Sequence, residues 1–161
     1  MLRVIAPTAL LAAGLAAVTF ANAAPAANVT VITLISITTY EKHVDVPPKA
    51  ASAGDHDFSA SKLINAKAQF GKPKGAVVGS DRSVMVLESP TSALLKTLAT
   101  LPGGTILFGG RLMAAGGGAV KIPVVRGTGV FAGATGTLTV LRPTGPKTVV
   151  NIYRLSYPLT A

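Results

Sequence analysis

The 161-residue chain lacks cysteine and tryptophan, and only 13% of its residues are charged. Without cysteine there can be no disulfide, thiolate metal site, iron–sulfur cluster or cysteine nucleophile. Two histidines are too few for a metal site built mainly from histidine. Low charge combined with 49% hydrophobic residues excludes a disordered chain, because disorder requires few apolar residues and much charge. We therefore expect one domain with its own hydrophobic core.

The N-terminal segment, residues 1–23, is predicted to be a cleaved signal peptide. Arg3 precedes an almost wholly apolar run over residues 4–18, and Ala21-Asn22-Ala23 has the small-x-small pattern of a cleavage site. A retained membrane anchor is the alternative, but the run is shorter than the roughly 18 apolar residues that a span needs. The mature protein is expected to be exported, to the periplasm or the extracellular space.

The mature chain is predicted to form a single all-β domain. This domain is predicted to be a β-barrel. Residues 24–53 supply its N-terminal strand and a loop, and residues 54–161 supply the remainder of the barrel. Runs rich in apolar and β-branched residues, bounded by Gly, Pro, Ser or Asn, predict eight strands. These are residues 29–40, 58–70, 76–88, 94–101, 105–114, 120–125, 136–142 and 148–157. Several runs are apolar on both faces, which favours a closed barrel whose outer wall is partly covered.

Basic residues outnumber acidic ones by 15 to 6, and removal of Arg3 with the leader leaves 14 against 6, a net charge of +8. Lys62, Lys67, Lys72 and Lys74 fall in one stretch without an acidic residue. This stretch is either a solvated strand edge protected by lysine or a site of weak association with anionic surfaces. Nucleic acid is not expected as a partner, because no nucleic-acid-binding motif is present.

A glycine-rich segment, residues 125–136, superficially suggests a phosphate-binding loop. The next residues form another β-branched run rather than the helix that such a loop requires. The glycines are better explained by a tight corner between strands, where positive φ angles are needed. The residues predicted to form this corner are Gly127, Thr128, Gly129, Gly133 and Gly136.

The same segment resembles the GGTG-x-F-x-G-A-x-G signature of the dirigent and allene oxide cyclase-like barrel family, with Arg126 in place of the first glycine. Further segments follow in the family's order, namely Gly54-Asp55, residues 75–79, residues 101–106 and a closing strand with Tyr153. The resemblance spans roughly residues 54–157. It implies an eight-stranded antiparallel barrel with a central cavity for a small hydrophobic molecule, no cofactor, and assembly as a dimer or trimer.

This chain departs from the family at two places. Many bacterial relatives carry a cysteine pair in the strands where this chain has Val84, Met85, Leu94 and Leu95, so apolar packing must replace the cross-link. Plant dirigent members tend to have an aspartate shortly before the leucine that matches Leu63, and here no carboxylate lies in residues 59–62. Acid catalysis by analogy with the family therefore stays open.

Five side chains are predicted to bind the ligand. Asp81 shares one face of its strand with Met85, while Arg82 and Glu88 share the other, and the sequence leaves open which face points inward. A solvated or cross-strand ion pair is the alternative role for Arg82 and Glu88. Asn151 and Tyr153 share a face of the last strand and could either bind a ligand oxygen or be satisfied core residues.

No metal site is predicted, since His43 and His56 lie in or beside loops and are expected to be exposed.

Three functions remain open at this stage. The first is a barrel that binds a small hydrophobic molecule and steers its coupling or cyclisation. The second is an isomerase or cyclase that acts on an unsaturated or epoxide substrate, as plant members of the family do. The third is a basic, surface-binding structural protein.

Overall fold

The computed structural model describes residues 28–47, 50–113, 119–145 and 147–157, with only the backbone of residues 142–145. The predicted signal peptide, residues 1–23, lies outside these ranges. Over the ranges described, we find no helix with the length and hydropathy needed to cross a membrane.

Eight antiparallel strands close into a barrel in which each strand pairs with its neighbours in sequence and the last pairs with the first. This confirms the predicted all-β fold. The strands are β1 (Asn28–Val44), β2 (His56–Asn65), β3 (Val77–Ser89), β4 (Ser92–Leu101), β5 (Gly104–Met113), β6 (Val120–Gly127), β7 (Thr135–Gly145) and β8 (Thr148–Tyr157).

The predicted second strand is too long, because β2 ends at Asn65 rather than at residue 70. The buried Asn65 side chain turns the chain there: its Nδ2 donates to the carbonyls of Gln69 at 2.9 Å, Lys72 at 3.1 Å and Pro73 at 3.3 Å. An asparagine that satisfies three loop carbonyls fixes the connection over residues 66–76 as a compact turn. The first strand, by contrast, continues past the predicted end to Val44.

The two ends of the barrel differ in what fills them. At the plugged end, where β1 starts and β8 finishes, lie residues 66–76, the turn at 102–103 and residues 128–134. At the mouth, the other end, lie residues 45–47 and 50–55, the turn at 90–91 and Lys147. A 3₁₀ turn, Gly129–Phe131, carries Phe131 over the plugged end, where its side chain is buried.

The hydrophobic core occupies the plugged half of the barrel. Because side chains alternate between the two faces of a strand, every second residue points inward. The rings of Phe108 and Tyr153 pack with centroids 5.2 Å apart and planes inclined at 57°, a favourable aromatic geometry. The largest fully buried apolar side chains around them are Leu34, Leu63, Ile106 and Leu155.

The glycine corner joins β6 to β7 against the turn before β5. Gly129 has φ of +60°, and a Cβ there would collide with the carbonyl of Gly103. A Cβ on Gly127 would collide with the carbonyl of Phe131. The Thr128 hydroxyl lies 2.7 Å from the hydroxyl of Thr105 and accepts its backbone N–H at 3.1 Å. Close backbone approach and left-handed φ explain why glycine is used here.

Candidate functional site in the barrel interior

A layer of polar side chains lies inside the barrel between the core and the mouth. It contains the buried residues Ser36, Ser61, Asp81, Thr97 and Asn151. Pairing across the sheet brings them together: Ser61 lies opposite Asp81, and Thr97 is opposite Ser83 of the same inward face. Strand alternation then turns Arg82 and Glu88 outward. The structure thus decides which face of β3 points inward, a question that the sequence left open.

This layer borders an interior cavity of about 160 Å³ that has two different walls. Strands β1 to β4 contribute mostly hydroxyls and one carboxyl, whereas β6 to β8 contribute mostly aliphatic side chains. The lining residues are Ser36, Thr38, Ser59, Ser61, Asp81, Ser83, Leu95, Thr97, Ile122, Leu138, Val140, Val149 and Asn151. An apolar surface with a few polar groups on one side is typical of a small-molecule site.

Asp81 is the acidic group of the cavity. Its side chain is 5% exposed, and the hydroxyl of Ser36 donates to its Oδ2 at 3.3 Å. Burial raises the pKa of Asp81, and hydrogen bonds from the Ser61 and Ser36 hydroxyls offset only part of that rise. Across the residues with defined positions, Asp81 forms no ion pair. The carboxyl is therefore disposed to take up a proton and to donate a hydrogen bond from the polar wall.

Asn151 and Tyr153 lie on strand β8, which pairs with β1 and β7. Both side chains are buried, but only Asn151 lines the cavity, and Tyr153 is fully buried outside its lining. Burial, together with the negative charge of Asp81, raises the pKa of Tyr153 far above its usual range, and an interaction with Asn151 offsets only part of that rise, so the phenol stays neutral. The Asn151 Oδ1 has no well-formed hydrogen bond within the residues described, so a ligand hydroxyl would be stabilised beside it.

Of the five predicted ligand-binding residues, the structure brings Asp81, Asn151 and Tyr153 together in the interior. Arg82 is exposed on the outer wall. Glu88 lies at the rim and forms an ion pair with Arg111, whose Nε lies 2.7 Å from Oε2 and whose Nη2 donates a hydrogen bond to Oε1 at 2.9 Å. A cross-strand ion pair therefore forms, with Arg111 rather than Arg82 as the partner. The binding role of each residue stays a prediction.

The hydroxyl wall was missed by the sequence analysis. Ser59 and Ser61 line the cavity at alternate positions, directly before the buried Leu63, and Ser36 interrupts an apolar run of β1. A small polar residue at an inward position among large apolar ones leaves space, and that pattern was the available signal.

The mouth carries a second group of titratable side chains. His43 Nδ1 lies 2.7 Å from Asp57 Oδ1, and this hydrogen bond raises the pKa of His43. His43 is exposed as expected, although it belongs to β1 rather than to a loop. Ligand atoms of His43, Asp45 and Asp55 lie within 4.8 Å of one another.

We assign no metal to this group, because the Asp55 carboxylate is already committed to hydrogen bonds with Val46 and Ser52 at the mouth. It accepts from the backbone N–H of Val46 and of Ser52, each at 2.9 Å, and from the Ser52 hydroxyl at 3.3 Å. These bonds lower the pKa of Asp55, as expected for an ionised group that fixes a loop.

No protein-family model and no curated protein sequence matches this chain. Among solved structures, the pterocarpan synthase dirigent protein GePTS1 superposes with a TM-score of 0.61 at 16% identity, over 81% of this chain and 92% of that one. The chain has the fold of a dirigent-type barrel. This confirms the fold that the glycine-rich signature implied.

Two enzymes share the dirigent-type barrel with this chain. The Diels-Alderase AbmU from Streptomyces koyangensis matches with a TM-score of 0.67 at 15% identity, over 85% of this chain and 72% of that one. Pyocyanin demethylase matches with a TM-score of 0.63 at 20% identity, over 78% of this chain and 99% of that one. At these identities the comparisons establish the fold, and the site must be argued from its own residues.

The interior carboxyl of this dirigent-type barrel comes from β3. Residues 59–62 of β2 supply no carboxylate, but Asp81 faces Ser61 directly across the β2–β3 pair. The other acids near that position, Asp55 and Asp57, lie at the mouth. In the strands that carry a cysteine pair in many bacterial relatives, this chain instead has Met85 opposite Leu95 across the β3–β4 pair.

Proposed function

We propose that the barrel binds a small, mainly apolar molecule with one oxygen-bearing group and holds it for coupling or cyclisation. The observation that carries this proposal is the two-walled cavity, with Asp81 in its polar wall. The ligand's oxygen would face Asp81 and the serine hydroxyls. Its hydrocarbon part would contact Ile122, Val140 and Val149 on the opposite wall.

The size of the cavity limits the ligand. A cavity of about 160 Å³ is comparable to the engineered cavity of roughly 150 Å³ that admits benzene. Ser59, Ser83 and Leu95 also line a wider cavity of about 450 Å³ that contains His43 and Asp57 at the mouth. A ring can therefore occupy the interior while a substituent extends toward the mouth.

The same geometry supports acid assistance. A protonated Asp81, which lines the cavity, can donate a hydrogen bond to a carbonyl, which withdraws electron density from a conjugated system. An intramolecular [4+2] cyclisation then needs no covalent bond to the protein and no further reactant. Two structural neighbours, a Diels-Alderase and a pterocarpan synthase dirigent protein, support this proposal.

An isomerase that opens or rearranges an epoxide is the second candidate. It is favoured by one observation, a buried carboxyl of raised pKa that can deliver a proton to an oxygen.

Binding is tested with para-cresol and toluene as probes, which share a ring and differ in the hydroxyl. NMR titration should show para-cresol shifting resonances of Ser61, Asp81 and Asn151, with toluene binding about fivefold more weakly, since a hydrogen bond contributes about 1 kcal/mol. Val149→Phe fills the cavity and should abolish the shifts. The matched control, Val84→Phe on the outer wall, should preserve them, and equal shifts in both variants would overturn the proposal.

Turnover is tested separately with an achiral trienone that cyclises slowly by itself. The protein should raise the rate and the enantiomeric excess of the product, and Asp81→Asn should lower both. If Asp81→Asn keeps full activity, the acid role is wrong, while the binding result stands independently.

Assembly with a second copy is proposed from the outer wall. Val84, Leu94 and Leu98 on β3 and β4 are 37%, 44% and 43% exposed around Lys96, so this part of the outer wall presents large apolar side chains that a second copy could cover. Light scattering should give the mass of a dimer or trimer, and Leu98→Glu should give a monomer. A wild-type monomer at micromolar concentration would contradict this assembly.

A further inference from the structure

Acidic residues are unevenly distributed along the axis of the barrel. Five of the six lie at the mouth, among basic residues, and the sixth, Asp81, lies inside the barrel. The charged side chains at the plugged end are all basic and exposed. The acids at the mouth are Glu41, Asp45, Asp55, Asp57 and Glu88, and the bases at or next to the plugged end are Lys67, Lys72, Lys74, Arg126 and Arg154.

The plugged end is also apolar. A groove of about 680 Å³ crosses it, lined among others by Val31, Phe70, Val130 and Tyr157, with Lys67 as its one charged side chain among the residues described. Val130 at the tip of the 3₁₀ turn is 65% exposed. Val29 and Val77 nearby are 57% and 52% exposed.

The lysines are presented by a fixed platform. Gln69 bonds the backbone of Thr33 twice, accepting from its N–H at 3.1 Å and donating to its carbonyl at 2.7 Å. Phe70 and Gly71, at φ of +55° and +66°, form a tight turn between bridged Gln69 and Lys72. A platform held this way loses little conformational freedom when it docks.

We propose that the plugged end docks on the surface of an anionic lipid bilayer. Lys67, Lys72 and Lys74 would contact headgroup phosphates, while Val130 and the groove would accept the adjoining acyl region. Basic side chains beside exposed apolar ones are what membrane-interface binding requires, since charge attracts the protein and apolar burial holds it. A purely electrostatic partner would leave the valines exposed to water.

The charge pattern also sets orientation. The mouth carries charges of both signs, with Lys42, Lys121 and Lys147 beside its acids, whereas the charged side chains of the plugged end are all basic. An anionic surface therefore attracts the plugged end more strongly, and the barrel would stand with its cavity opening away from the membrane. This inference is independent of the ligand proposal, because it uses none of the cavity residues.

The test measures co-sedimentation with phosphatidylcholine vesicles, with and without phosphatidylglycerol. The triple variant Lys67→Gln, Lys72→Gln, Lys74→Gln should partition roughly 100-fold more weakly onto anionic vesicles, at about 1 kcal/mol per basic residue. The matched control Lys42→Gln, Lys121→Gln, Lys147→Gln removes the same charge at the mouth and should lose less than about threefold. Circular dichroism checks that both variants fold.

A second pair of variants tests whether apolar burial contributes to membrane binding. Val130→Ser should weaken partitioning about fivefold, from lost burial of a valine side chain, whereas the control Val125→Ser, 60% exposed on β6, should leave it unchanged. Equal loss in the two triple variants would reduce the effect to net charge and overturn the proposal. So would binding to polyphosphate without binding to anionic vesicles, or no preference for anionic over neutral vesicles.

Discussion

The plugged end and the mouth of this barrel are built from the same eight strands but differ in the side chains that point inward. At the plugged end, inward positions carry large apolar residues such as Leu34, Phe108 and Leu155, which are fully buried. Toward the mouth, the same alternation places serines, threonines and Asp81 around a cavity. The comparison shows that large apolar side chains are concentrated in one half of the barrel and buried polar groups in the other.

This division has an energetic reason. Burying a carboxyl and unpartnered polar atoms in a low-dielectric interior lowers the stability of the folded state. Burial of apolar side chains elsewhere in the same domain must offset that cost. Because every strand runs through both halves, the apolar half fixes the register that the polar half needs. Perturbing each half separately therefore tests the division.

The largest contrast is expected from truncating one leucine in each half. Leu34→Ala leaves a cavity at a fully buried position of the plugged half and should cost about 2–5 kcal/mol of unfolding free energy. Leu87→Ala, at the half-buried rim of the mouth, should cost about 1 kcal/mol. Urea denaturation measures both. Equal costs would show that the core extends evenly along the barrel.

A smaller contrast separates backbone conformation from close packing in two glycines at the plugged end. Gly71 and Gly129 have φ of +66° and +60°, but only a Cβ on Gly129 meets backbone, at Gly103. Gly71→Ala should cost about 1 kcal/mol from the left-handed conformation alone. Gly129→Ala should cost about 2 kcal/mol more, because the corner must move. Thermal unfolding compares the two, and similar costs would show that the corner yields easily.

Much of the fold was predictable because strand patterns and turn residues agree with one another. For five of the eight predicted strands, both ends lie within two residues of the observed ends, for example Thr148–Tyr157. The error at β2 has a physical cause: residues 66–70 look like strand, but the Asn65 side chain captures the carbonyls of the following turn. A side chain that bonds several distant backbone groups cannot be read from a local pattern.

The site was only partly predictable. The sequence identified Asp81, Asn151 and Tyr153 as candidates because each shares a strand face with apolar residues, and the structure places all three inside the barrel. It could not decide between the faces of β3, since the register of a strand depends on pairing with distant residues. For that reason Arg82 and Glu88 were candidates as well, and the hydroxyl wall went unnoticed.

The polar half of the barrel is tested by removing the charge of Asp81. Burial raises the pKa of Asp81 in the folded state, so the folded protein loses stability as pH rises from the ordinary aspartate pKa of 3.8 through the raised value. Asp81→Asn should therefore stabilise the barrel at pH 7, by about 1 kcal/mol, a typical single-residue effect. The gain should vanish below pH 3.8.

Thermal melts across this pH range measure the effect, with Asp45→Asn, at an exposed position of the mouth, as the control that should change little. If Asp81→Asn destabilises the protein at pH 7, the ionised carboxylate holds the serine hydroxyls in place. Stability would then depend on the polar half of the barrel as well as on the apolar half.

The smallest effect is expected at the rim of the mouth, where His43 is exposed. The hydrogen bond to Asp57 raises the pKa of His43, and the charges of Asp55 and Asp45 add to this. The stability that protonated His43 contributes is fully present below its ordinary pKa of 6.5 and is lost as pH rises through the raised value. NMR titration of the imidazole should show a midpoint above 6.5 that Asp57→Asn moves down. The accompanying change in stability should be slight, because solvent screens an exposed pair. An unchanged midpoint in Asp57→Asn would mean that the hydrogen bond does not control the histidine, and that Asp45 and Asp55 do.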